Sequence, residues 1–301
     1  MRRRDLIKGI ASSATAWPMP VAFITIAAIF AFAQTEQDVG FERLLLWIES
    51  QTPAIIALIT FGICYACAAV IFAFARVFLP RRIADELKAT TPVMLTPLAV
   101  LTGLVIAFVA SRIWVNFDHA NTLVRDEARN IQEVLTLAQT LSPNIASQMR
   151  GAIAQYLQFT KEQEWPAMLE GRAKIRTSVP GLSNAISTIV SFIPDNAGQK
   201  IAQQRTLIAI EQALDARRHR ILLSEASVHP MQWIVIIVLT LLMLLTVAMV
   251  HVDRPLAMVV SLFNLSTALA VCLVLLLVND RPFSSGGFMI QPHALGQIEI
   301  D

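Results

Sequence analysis

The stretch PMQWIVIIVLTLLMLLTVAMV, residues 230–250, is followed after His251-Val252-Asp253-Arg254 by PLAMVVSLFNLSTALAVCLVLLLV, residues 255–278. Neither run holds an Asp, Glu, Lys or Arg, and a four-residue turn leading into Pro255 separates them. Each run reaches the roughly 18–20 residues that a helix needs to cross about 30 Å of hydrocarbon. Working outward, further charge-free runs cover Gly9–Thr35, Ser50–Ala75 and Val93–Ser111. Of the 301 residues, 55% are hydrophobic and 15% charged, with mean hydropathy +0.58. A soluble domain carries about 25% charged residues. These values exclude a soluble enzyme and a disordered chain, and they predict an all-α, polytopic membrane protein. The 24 basic and 22 acidic residues leave a net charge of +2, which argues against nucleic acid as a partner.

Four core transmembrane helices are expected, preceded by an N-terminal helix that has two readings. Arg3-Arg4-Asp5-Leu6-Ile7-Lys8 resembles a twin-arginine export signal, and Ala31-Phe32-Ala33 resembles a signal-peptidase site. An uncleaved signal anchor over residues 1–33 is the preferred of the two readings, because the apolar run is long for the core of a signal peptide. Helices two and three are placed in residues 53–116, an extramembrane helical domain in 117–229, the closing hairpin in 230–279 and a tail in 280–301. The acidic loop Gln34–Glu49 suits the outside and the basic loop Arg76–Lys88 the cytoplasm. The helical domain is therefore expected outside the cytoplasm, in a multi-pass protein of a bacterial inner membrane.

Helical periodicity organises the domain. Val124, Ala128, Ile131, Leu135 and Ala138 recur at steps of four and three, and no glycine or proline separates this seam from the apolar run after Gly103. One helix is expected from Pro97 to Leu141, about 67 Å long at 1.5 Å per residue. Ser142-Pro143 then reads as a cap followed by proline at the first helical position. The next apolar face includes Ile145, Met149, Ile153, Tyr156 and Leu157. Trp165-Pro166 and Val179-Pro180-Gly181 interrupt the pattern, and Leu207, Leu214 and Ile221 form a seven-residue repeat in a last helix.

No catalytic or metal-ligating constellation is present. The five histidines lack the spacing of a metal site, and Glu162 and Glu164 sit two apart, off a common helical face. Cys64 and Cys67, inside an apolar run, read as small packing residues. No cofactor is expected. Polar side chains cluster instead at the membrane boundary of the third helix. Arg112, Asp118, His119 and Glu127 are candidates for an ion path or vestibule, where charged rings tune selectivity. Glu127 or Glu164 is expected to pair with an arginine of the 217–220 cluster, with Glu127–Arg218 as the specific assignment.

Six short motifs occur in order: Phe117-Asp118-His119, Arg125-Asp126-Glu127-Ala128, Glu164-Trp165-Pro166-Ala167-Met168, Arg217-Arg218-His219-Arg220, Pro230-Met231-Gln232-Trp233 and Asp280-Arg281-Pro282-Phe283. With the closing hairpin they resemble the bacterial bestrophin-like membrane family, a domain of unknown function, over roughly Ile55 to Gln297. The resemblance singles out Glu164, Trp165, Pro166, Arg218, Asp280, Pro282 and Phe283. It implies kinship with bestrophins, which are pentameric anion channels. The calcium clasp of bestrophins has no counterpart here, and Phe72, Phe74 and Phe78 read as aromatic packing. The expectation is a homo-oligomer in the lipid bilayer that passes small ions and is not an enzyme. The alternative is a non-conducting sensor or scaffold whose helical domain binds a partner.

Overall fold

The computed structural model of the chain describes residues 47–48, 51–78, 91–175, 179–283, 290 and 292–298. The N-terminal signal or anchor reading and most of the Arg76–Lys88 loop fall outside the described residues. Every regular element among those described is helical. Helix α1 spans Pro53–Phe78 and α2 spans Thr91–Ala138, while α3, Pro143–Phe159, runs through a π-turn at Thr160–Glu164 into α4, Trp165–Leu169. Next come α5, Leu182–Ser191, and α6, Ala197–Ser224. The closing hairpin is α7, Pro230–Val250, and α8, Pro255–Asn279, and α9 is the short turn His293–Gly296.

Four of these helices, α1, α2, α7 and α8, are long and apolar enough to cross a membrane. The protein is a multi-pass membrane protein. Its many exposed large apolar side chains would drive aggregation on a soluble surface. Here they suit lipid, as along α1, where Leu58, Val70 and Val77 are 76%, 68% and 74% exposed.

Helix α2 is the spine. Its 48 residues rise about 72 Å, more than twice the hydrocarbon thickness. Antiparallel neighbours follow it along its length. Leu141, just past its end, packs with Ala202, Glu127 faces Arg220, and Ile113 packs with Val228 and Trp233. Helices α6 and α7 thus return beside α2 to the membrane. The predicted seam is in the core, with Ile131 at 0% and Ala138 at 1% exposure.

Helix starts follow local chemistry. The Ser142 hydroxyl accepts from the Ile145 N–H, with Pro143 at the first helical position as expected. Asn196 and His229 cap α6 and α7 in the same manner. Two boundaries differ from the sequence reading. Helix α2 begins at Thr91, so Pro97 lies inside it rather than at its start. Transmembrane helices tolerate such a proline because neighbouring groups re-satisfy the backbone. The helix also ends at Ala138, before Leu141.

Trp165-Pro166 does not end the helix. Pro166 lacks an N–H, and its ring would strike the carbonyl four residues earlier. The π-turn absorbs the misfit, as the Trp165 N–H bonds the Thr160 carbonyl. Val179-Pro180-Gly181 does break the chain. Gly181 adopts φ 84°, and a Cβ there would lie 2.4 Å from the Ala152 carbonyl oxygen and 2.6 Å from the Tyr156 nitrogen. Only glycine lets α5 approach the α3 backbone this closely. The seven-residue repeat lies on α6, with Ile221 buried and Leu207 and Leu214 half-buried against the core, while the fully buried stripe beside it includes Ala202, Thr206, Ala209, Ala213, Arg217 and Arg220. A buried face that carries charge defeats a purely apolar pattern.

Candidate functional site

The largest polar feature in the core is built from four helical segments. Helix α2 contributes Glu127, α3 contributes Tyr156, the π-turn and α4 contribute Glu164, Trp165 and Met168, and α6 contributes Arg217 and Arg220. Glu127 and Arg220 are 0% exposed, Arg217 1% and Glu164 5%. Arg220 is the hub. Its Nε donates to Glu127 Oε2 at 2.7 Å and its Nη2 to Glu127 Oε1 at 3.1 Å and Glu164 Oε1 at 2.8 Å. Its Nη1 points at the Met168 sulfur, and its guanidinium lies 5.1 Å from the Trp165 ring centroid. Arg217 Nη2 closes the cluster onto Glu164 Oε2.

The Tyr156 hydroxyl donates to Glu127 Oε1 at 2.5 Å. Burial, reinforced by the charge of Glu127, pushes the phenol well above its ordinary pKa and holds it protonated as a donor. Burial alone disfavours a charged Arg220, but Glu127, Tyr156 and Glu164 outweigh it and hold the guanidinium charged above the usual arginine range. Two carboxylates and two guanidiniums balance formally, the condition under which buried charge is tolerated. Arg217 Nε and Thr160 Oγ1 remain buried without hydrogen-bond partners among the described residues, both beside the π-turn.

An aromatic and capping layer joins this cluster to the membrane end. Phe283, 1% exposed, meets Trp165 edge-on with ring centroids 5.6 Å apart. Asp280 Oδ1 accepts from the Val228 N–H at 2.8 Å, tying the end of α8 to the segment between α6 and α7. The Pro282 carbonyl accepts from the Ile290 N–H, and Ile290 packs beside Trp165 and Phe283. Glu164, Trp165, Asp280, Pro282 and Phe283, far apart in sequence, thus form one continuous junction.

The remaining sequence candidates lie elsewhere. Arg218 does not pair with Glu127. It is exposed and bonds Asp215 one turn away, because three residues separate Arg217 from Arg220 on one face while Arg218 points off it. Arg112, Asp118 and His119 are exposed along α2. Arg112 Nη1 donates to Gln232 Oε1 on α7 at 3.1 Å. Glu127 turns away from these three into the core. Tyr156 and Met168 were legible as apolar-face and motif residues, and their polar roles carry no sequence signal. Phe72 packs against the α7–α8 cluster and Phe74 is half exposed. Among the described residues no group of metal-ligating side chains is found.

The exposed side of α2 forms a second feature. Val100, Leu104, Phe108 and Val115 continue at helical spacing into Asp118, Thr122, Arg125 and Arg129. The face is apolar over the membrane half and polar and charged beyond it.

Comparison with known proteins agrees with the motif order. The bestrophin-like domain matches residues 62–295, which cover most of α1, all of α2, α7 and α8, and the whole buried junction. No curated protein and no solved structure matches the chain. The chain belongs to the bestrophin-like family of membrane proteins.

Proposed function

We propose that the protein assembles from identical subunits around its α2 helices and passes small ions, anions first among them. The observation that carries this reading is the face of α2 that no other described residue covers. It runs from Val100 to Arg129 and is exposed along its length. Copies of α2 around an axis would supply a narrow apolar segment at Leu104 and Phe108. Arg112, Asp118 and His119 would follow as rings at the mouth, and such rings set selectivity electrostatically. The buried Glu127–Arg220–Glu164 cluster would hold the outer half of α2 straight. Family membership supports the reading, since the bestrophins for which the family is named are oligomeric anion channels. We also propose the bacterial inner membrane as its site, with the helical domain outside the cytoplasm. The test is native mass of the detergent-purified protein with planar-bilayer recording of the same sample. A defined oligomer with ion current supports the reading. A monomer defeats it, and a silent oligomer moves the function to a scaffold whose helical domain binds a partner.

A further inference from the structure

The buried faces of α7 and α8 share one plan. On α7 the sealed face runs Ile236, Thr240, Leu244 and Ala248, and on α8 it runs Met258, Leu262 and Ser266, all at steps of four. Leu244 and Ala248 join Met258 and Leu262 in one apolar cluster, whereas Ile236 joins Leu276 in another. Thr240 and Ser266 lie between the two clusters, one on each helix. Thr240 stands ten residues before Val250, and Ser266 eleven after Pro255. In this antiparallel hairpin their levels therefore differ by about one helical rise, roughly 1.5 Å. Both sit at the middle of their helices, and so at the centre of the bilayer.

Their hydroxyls differ from others in the membrane helices. Thr60, Thr102, Thr246 and Thr267 each donate the hydroxyl proton to the carbonyl one turn earlier, at 2.7–2.8 Å. That bond is how a helix satisfies a hydroxyl surrounded by hydrocarbon. Thr240 Oγ1 and Ser266 Oγ make no such bond, do not bond each other, and have no hydrogen-bond partner among the described residues. Thr240 is 7% exposed and Ser266 0%, so neither meets bulk water. The neighbouring helices add small side chains at this depth. The Tyr65–Thr267 bond sets the register of α1 on α8 and brings buried Cys64 within about 3 Å of the level of Ser266. The Arg112–Gln232 bond does the same for α2 and places buried Thr102 within about 3 Å of the level of Thr240. No charged side chain lies at this depth on any of the four helices. A shared ligand here must therefore be small and neutral, and must both donate and accept.

We propose that each chain holds a water molecule inside its own membrane helices, bridging Thr240 Oγ1 and Ser266 Oγ at the bilayer centre. A buried water needs about two to four polar partners, and the two hydroxyls supply the first two. The bridge satisfies both hydroxyls at once and joins α7 to α8 between their apolar clusters. It lies within one chain and stands whether or not subunits assemble or conduct.

The experiment uses the full chain in lipid nanodiscs. A short X-ray pulse converts bound water to hydroxyl radicals, which oxidise the side chains beside it. Cys64, Ile236, Leu244 and Leu262 are 6%, 0%, 1% and 3% exposed, so radicals from bulk water do not reach them. Oxidation within this group is expected in the parent and should disappear when Thr240→Val and Ser266→Ala are combined. Thr240→Ser, which keeps the hydroxyl, should retain it. A parent without oxidation there, or oxidation that survives in the double variant, would overturn the site. Thermal unfolding gives an independent readout. Thr240→Val and Ser266→Ala should each lower the midpoint, and together they should lower it by less than the sum, because one water serves both hydroxyls. Two unsatisfied hydroxyls would instead give variants that unfold later than the parent. That result, or additive shifts of either sign, would contradict a shared water. Reaction of Cys64 with a membrane-impermeant thiol reagent would replace the enclosed site by a continuous water path.

Discussion

Arg220 and Glu127 are 93 residues apart in sequence and face each other through two hydrogen bonds with both side chains sealed from solvent. The pair fastens α6 to α2 at the level where the long helix has left its apolar half. Arg220 also bonds Glu164, so it bridges the two carboxylates, and Arg217 supplies the second positive charge.

That asymmetry gives a ranking of variants. Arg220→Met leaves two buried carboxylates short of a partner and should cost about 3–5 kcal/mol. Glu127→Gln leaves Arg220 still paired with Glu164 and should cost less. Arg218→Ala removes an exposed pair with Asp215 and should change stability by less than about 1 kcal/mol. Thermal unfolding in detergent of the three variants checks the order. Equal losses for Arg220→Met and Arg218→Ala would refute the hub.

The Tyr156 phenol gives a pH signature. Its folded-state pKa is raised above the ordinary tyrosine value, so its contribution is fully present below about pH 10 and is lost as pH rises further. Stability should decline on the alkaline side, and Tyr156→Phe should flatten that decline. At neutral pH the same variant loses a hydrogen bond to a charged acceptor, worth about 1.5–3 kcal/mol. The chain has two tyrosines, so ultraviolet titration of a Tyr65→Phe background reports Tyr156 alone. Ionisation there at an ordinary pH would contradict the buried donor.

Gly181 and Gly151 form a contrasting pair. Alanine at Gly181 combines a left-handed φ with contact against the α3 backbone, so the variant should lose at least about 2 kcal/mol and loosen α5. Gly151 sits inside α3, where an added methyl would meet nothing within 4 Å, so Gly151→Ala should gain about 0.5–1 kcal/mol. Proteolysis rates near α5 and unfolding midpoints distinguish the two.

Arg112 is the charge closest to the proposed mouth. Arg112→Glu should shift the reversal potential toward cations under a salt gradient and leave oligomeric mass unchanged. An unchanged reversal potential in an intact, conducting oligomer would place the selectivity filter elsewhere.

Much of this architecture is legible in sequence because two strong signals coincide. Long uncharged runs announce α7 and α8, and the step of three and four from Val124 to Ala138 announces the packed face of α2. The Ser142-Pro143 start is legible because capping is local chemistry. The buried junction is harder to read. Arg217, Arg218 and Arg220 are alike in composition, and only their angular positions on α6 decide which are buried. The continuation of α3 past Trp165 depends on a π-turn, a long-range accommodation of Pro166 and the glutamate cluster that no local pattern encodes. The start of α2 at Thr91, six residues before Pro97, likewise runs against the local rule that proline removes a helical backbone bond.

The central claim is that the exposed face of α2 lines an ion path. The direct measurement is planar-bilayer recording of Leu104→Cys in a background free of Cys64, Cys67 and Cys272, before and after a positively charged thiol reagent. Leu104 is 48% exposed on that face. Current through the variant should fall on modification, and the cysteine-free parent should be unaffected. An oligomer that stays silent, or a current unchanged after mass spectrometry confirms complete labelling, would contradict the claim.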